Sequence, residues 1–116
     1  MWNSPQSGSL FETMVFSELV KTRDNFLLDW EIFTWRTKEK HEIDFVLKSG
    51  QKVVLIESKM AIQNIKPLSL DSEATKVFTP QTPKIVCYAG HKMERLDQET
   101  LAVPVSNLGR YLMELF

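Results

Sequence analysis

The sequence predicts an α/β domain: a central mixed sheet of four to five strands flanked by helices, in the order α-β-β-β-α-β-β-α. Three observations predict it. Apolar residues near both ends of the chain recur at three- and four-residue steps, the spacing of one helix face. Between them lie short runs rich in β-branched and aromatic side chains, bounded by turn residues. The chain has 116 residues, of which 43% are hydrophobic. That is enough for one core and too little for two.

Residues 1 to 8 are polar, with Pro5 and Gly8, and read as a flexible lead-in to a single domain over 9–116. From Ser9 to about Thr22, Leu10, Phe11, Met14, Val15, Glu18 and Leu19 follow the helical step. Ser9-x-x-Glu12 has the form of a capping box. The polar side of this helix is narrow, so it is expected to pack against a sheet.

Glu31–Arg36 is rich in strand formers. Glu42–Lys48 alternates, with Ile43, Phe45 and Leu47 on one side. Lys52–Lys59 contains Val53-Val54-Leu55-Ile56, apolar on both faces, which predicts a central strand. Pro67–Phe78 reads as a helix, with Asp71 and Glu73 early and Lys76 late to suit its dipole. Pro80 and Pro83 end it. Lys84–Ala89 reads as a buried strand. Leu101–Pro104 reads as a short edge strand, where proline is tolerated. Ser106–Phe116 closes as a helix with Leu108, Leu112 and Leu115 on one face.

Composition narrows the function. A formal net charge of −1 argues against the sequence-independent phosphate grip of a strongly basic DNA-binding protein. It leaves room for a protein whose basic groups are local. Cys87 is the only cysteine, so an intrachain disulfide is ruled out and a Cys/His zinc site is disfavoured. Cys87 reads as a small core residue. No apolar run reaches the ~20 residues that span a bilayer, and Met1–Pro5 lacks the pattern of a signal peptide. A reducing, cytoplasmic setting without a membrane is expected.

The second and third strands, folded around Gly50-Gln51, form a hairpin with a tight turn. Val46 then faces Leu55, Phe45 faces Ile56, Asp44 faces Glu57 and Glu42 faces Lys59. Asp44, Val46, Leu55, Glu57 and Lys59 share one face unless a bulge changes the register. Two carboxylates directly opposite each other destabilise a sheet, and a partly buried unpaired carboxylate is costly. Lys59 could neutralise one charge. A divalent cation could neutralise both, since Mg²⁺ is commonly held by one or two carboxylates with phosphate and water. Glu12 falls between Val15, Phe16 and Leu19 at about 100° per residue, so it points along an apolar flank toward the sheet.

Plainer readings compete. Glu12 fits the third position of the capping box. Asp44, Glu57 and Lys59 fit an exposed salt-bridge patch, and Glu18 a helix surface or a supporting residue. Lys38-Glu39-Lys40-His41-Glu42 fits a solvated turn. Trp35-Arg36 fits core plus flank.

At Asp44 followed by Glu57-Ser58-Lys59, the chain resembles the PD-(D/E)XK superfamily, the restriction-endonuclease-like fold. Glu12 matches the acid of that superfamily's first helix. A narrower resemblance runs through nearly the whole chain: Gly8-x-Leu10-Phe11-Glu12, Glu18-Leu19, Phe33-x-Trp35-Arg36, Glu42-Ile43-Asp44-Phe45-Val46, Ile56-Glu57-x-Lys59 and Val103-Pro104. These segments look like the nuclease-like C-terminal domain, long catalogued as of unknown function, of a family of prokaryotic AAA-type ATPases. The ATPase half and its Gly-x-x-x-x-Gly-Lys-Ser/Thr loop are missing. That would make the chain a stand-alone domain, an excised piece or a truncated product. The Gln-x-x-x-Tyr signature of some exonuclease relatives is also missing after Lys59.

The resemblance implies metal-dependent hydrolysis of phosphodiester bonds in DNA. Asp44, Glu57 and the Ser58 carbonyl would hold Mg²⁺ or Mn²⁺, which activates water and neutralises phosphate oxygens. Lys59 would orient or deprotonate the water, or stabilise developing charge. Glu12 would serve a second ion or a metal-bound water. DNA and an ATPase domain are the implied partners, with homodimers by analogy. The competing implication is a fold retained without catalysis, as an interaction or dimerisation module for an ATPase.

Overall fold

In a computed structural model of the chain, residues 5–36, 42–60 and 82–116 are described. The N-terminal periodicity becomes helix α1, Pro5–Asn25. It begins four residues earlier than the capping pattern predicts, inside the segment read as a lead-in. Pro5 suits a first turn because its missing N–H has no intrahelical acceptor there. Ser9 is therefore inside the helix and cannot be its N-cap. The capping-box reading of Glu12 falls with it.

The helix buries one stripe, Phe11, Val15, Leu19 and Thr22, at helical spacing. Leu10 and Met14, which the periodicity assigned to the buried side, are exposed. At the C-terminal end Leu27 takes a left-handed conformation, φ 53°. The Leu28 N–H donates to the Arg23 carbonyl at 2.9 Å and the Leu27 N–H to Asp24 at 3.4 Å. This is a Schellman stop, built on a leucine that is 92% exposed.

Strands β1 (Glu31–Arg36), β2 (Glu42–Ser49) and β3 (Lys52–Lys59) follow. β4 is Lys84–Tyr88, β5 is Glu94–Arg95 and β6 is Thr100–Pro104. They form one six-stranded sheet in the order β1-β2-β3-β4-β6-β5. β1, β2 and β3 pair antiparallel, β4 lies parallel to β3 and to β6, and β5 pairs antiparallel with β6. The sheet is mixed, as the sequence predicts, and β3 is central with a partner on each side.

The extra strand is β5. Two exposed charged residues give no hydrophobic signal from which to read it. β6 is consequently not an edge strand along its whole length. β5 covers it only at Leu101 and Ala102, and Pro104 lies beyond that reach, where a missing N–H costs no ladder bond. The predicted helix over Pro67–Phe78 lies outside the described residues.

After β6 a short 3₁₀ turn, Val105–Asn107, leads into helix α2, Leu108–Leu115. Leu108 and Leu112 are fully buried, and Leu115 packs against the same core. Gly109 allows α2 to close on α1, because a Cβ there would collide with the Thr22 hydroxyl.

The main core lies between the helices and one sheet face. It joins Phe11, Val15 and Leu19 to Phe45, Leu47, Val54, Ile56, Ile85, Cys87 and Val103. A smaller cluster, Ile43, Val46 and Leu55 with Trp35 and Val53 packed on it, marks the other face. Each of these branched side chains contributes about 1.5–3 kcal/mol by leaving water. Among the described residues, no helix is long and apolar enough to cross a membrane.

Candidate functional site

The hairpin is in the predicted register through its middle. Ser49 pairs with Lys52, Lys48 with Val53, Leu47 with Val54, Val46 with Leu55 and Phe45 with Ile56. Gly50 turns the chain with φ 62°, a conformation that L side chains disfavour. The ladder then stops, one step before Asp44 would face Glu57. Two features explain the stop. Direct opposition of two carboxylates is repulsive. The pairing of β1 with β2 also shifts between Phe33 and Trp35: Phe33 pairs with Val46, but Trp35 pairs with Ile43. β2 thus carries one extra residue, a bulge, in the stretch that includes Asp44. Bulges re-aim side chains.

The re-aimed Asp44 turns to Ser58. Its Oδ2 accepts from the Ser58 backbone N–H at 2.9 Å and from the Ser58 hydroxyl at 2.9 Å. Among the described residues its Oδ1 has no hydrogen-bond or ion-pair partner. A strand residue directs its N–H and C=O to the same neighbour, so the Ser58 carbonyl faces β2 as well. The aspartate and the Glu-x-Lys stretch are therefore side by side, as the sequence predicts, but through Ser58 and not through a facing pair.

The single shared face is corrected. Alternation from Ile56, which packs in the helix-side core, carries Ser58 to the α1 face. Glu57 and Lys59 follow Leu55 to the opposite face. Glu57 is only 7% exposed, on a strand flanked by β2 and β4. Lys59 is exposed and makes no ion pair among the described residues. It does not neutralise Asp44 or Glu57 by direct contact, so the plain salt-bridge patch is not formed either. An exposed ammonium keeps its hydration and its side-chain freedom, and a surface pair would repay little of either.

Glu12 reaches the same end of the hairpin by a different route. Phe16, one turn further along α1, stacks on Phe45 with centroids 5.8 Å apart and planes 20° apart. The helix exit is tied to the opposite, turn end of the hairpin, where the Ser49 hydroxyl donates to Asp29 at 2.6 Å. The N-terminal half of α1 therefore points toward Asp44 and Ser58. Glu12, half-buried, lies one helical turn before Phe16 on that N-terminal half.

Among the described residues no three His, Cys, Asp or Glu side chains stand close enough to hold a metal ion together. A cation here would rest on two carboxylates at most, completed by backbone, water or phosphate oxygens. That donor set is all hard oxygen and fits Mg²⁺ or Mn²⁺.

Glu18, on the flank of α1 that meets α2, pairs with Lys21 at 3.1 Å. It lies near enough to Cys87 to act on its thiol. Burial first, and that negative charge second, push Cys87 up to about 12. A thiol so protonated is a packing group, as the sequence predicts, and not a nucleophile. The side chain of Ser58 is the participant that sequence reasoning missed. Its only signal was a hydroxyl at the variable position of Glu-x-Lys. The Lys38–His41 stretch lies outside the described residues.

The model of a family described as a domain of unknown function, DUF4143, matches residues 7–108. No curated protein matches the chain.

Proposed function

With that match over most of its length, the chain belongs to the DUF4143 family, known as a C-terminal domain of AAA-type ATPases, and we propose that it is a metal-dependent nuclease domain that hydrolyses phosphodiester bonds in DNA. The finer assignment to the PD-(D/E)XK superfamily is part of the proposal. One observation carries it. The Asp44 carboxylate is tied by one oxygen to the residue between Glu57 and Lys59, at the point where the β2–β3 ladder opens.

Asp44, from the helix side, Glu57, from the opposite face, and the Ser58 carbonyl, between the strands, would hold Mg²⁺ or Mn²⁺ in the gap where the β2–β3 ladder has opened, which both carboxylates would have to reach from their own faces. Bound there, the ion would supply an acidified water and neutralise phosphate oxygens. Lys59, exposed and without an ion pair among the described residues, would approach a phosphate or take a proton from the attacking water. Glu12, on its helix at the same end, would orient a water or serve a second ion. DNA is the proposed substrate, an ATPase domain the proposed physical partner and a homodimer the proposed assembly. A reducing cytoplasm is the proposed setting.

A second reading, an interaction module for an ATPase with no catalysis, is favoured by the formal net charge of −1, which gives little general grip on phosphate. One experiment separates the two. The purified chain is incubated with plasmid, single-stranded and branched DNA in Mg²⁺ or Mn²⁺. The nuclease reading predicts cleavage that falls by about 10²–10⁴-fold in Lys59→Ala, the scale of a lost proton-transfer group, and disappears in Asp44→Ala. Cleavage that survives both changes, or no cleavage of any substrate by the unaltered chain, would sink it.

A further inference from the structure

We propose that the Ser58 side chain is a positioning residue for Asp44: its hydroxyl holds the carboxylate so that Oδ1 is presented to the cation. The inference rests on the metal-dependent reading above and adds to it a role that the backbone carbonyl of Ser58 does not cover.

The geometry is specific. Both donors that meet Asp44 come from one residue and converge on one oxygen, each at 2.9 Å. One donor would leave the carboxylate free to pivot about that bond. Two donors from different directions restrict the pivot, and Oδ1 then points consistently away from Ser58. The restraint has work to do. Asp44 sits beside a bulge, past the last rung of the ladder, so the backbone alone does not fix its side chain.

The amide half of the restraint survives any ordinary substitution at position 58, whereas the hydroxyl half does not. Partners that orient a metal-ligating side chain without touching the metal commonly change affinity by about 10–100-fold when removed. Alanine and threonine at this position separate the hydroxyl from everything else. Threonine keeps the hydroxyl and suits a strand.

The test is Mn²⁺ titration by calorimetry of the whole chain and of Ser58→Ala and Ser58→Thr, with metal-free thermal melts of all three. Expected is a roughly 10–100-fold weaker Mn²⁺ affinity in Ser58→Ala, with Ser58→Thr near the unaltered chain and similar melting of all three. Unchanged affinity in Ser58→Ala overturns the inference and leaves the metal-dependent reading standing. So does equal weakening in both variants, which would assign the effect to shape. No Mn²⁺ binding by the unaltered chain overturns the metal-dependent reading, and the positioning role with it.

Discussion

The two ends of the β2–β3 hairpin follow opposite rules. At the turn end, Gly50 takes the conformation that the turn needs, and five consecutive pairs run in register from Ser49–Lys52 to Phe45–Ile56. Those pairs place apolar side chains on both faces, Leu47, Val54 and Ile56 toward the helices and Val46 and Leu55 away from them. At the open end the ladder stops, β2 bulges against β1, and a carboxylate accepts from the Ser58 amide and hydroxyl in place of a ladder bond. The turn end is built for stability. The open end departs from the same principles within two residues, and such local departures concentrate at functional sites.

The contrast can be broken by mutation, and the largest effect belongs to the paired body. Ile56→Ala removes a fully buried side chain from the helix-side core. Unfolding by denaturant should show a loss of about 2–5 kcal/mol. A loss below about 1 kcal/mol would mean that this stretch is not the anchor of the fold.

A much smaller effect is expected one residue past the ladder. Asp44→Asn keeps an oxygen that can accept from the Ser58 amide and hydroxyl, and exchanges charged hydrogen bonds for neutral ones. The same unfolding measurement should show a change of no more than about 1 kcal/mol, while Mn²⁺ binding is lost. A stability loss as large as that of Ile56→Ala would make Asp44 a structural residue and erase the contrast between the two ends.

The same contrast explains what was legible in the sequence. Val53-Val54-Leu55-Ile56, apolar on both faces, predicts a central strand, and it forms the sheet's centre. Its register followed from alternation and a tight turn, and it is correct wherever alternation continues. It fails at Asp44, because a bulge adds one residue and periodicity contains no signal for it. The faces of Asp44 and Glu57 were therefore assigned together when the structure separates them. The start of α1 was misread for a related reason. Ser9 and Glu12 match a capping pattern, but Pro5 is an equally good first-turn residue and lies upstream. β5 was illegible because it is held only by pairing with β6. Glu12, Asp44, Glu57, Ser58 and Lys59 were all named from the sequence, and what it could not supply was the hydrogen bonding that joins Asp44 to Ser58.

The most direct measurement is a crystal structure of the chain with Mn²⁺ soaked in, located by its anomalous signal. A shared site predicts one strong peak between the open ends of β2 and β3, about 2.1 Å from Asp44 Oδ1 and from a Glu57 oxygen, distances usual for a small divalent cation. The Ser58 hydroxyl should still donate to Asp44 Oδ2. Manganese bound away from both carboxylates, or none at millimolar concentration, would contradict a shared cation site and leave the open end without the chemistry proposed for it.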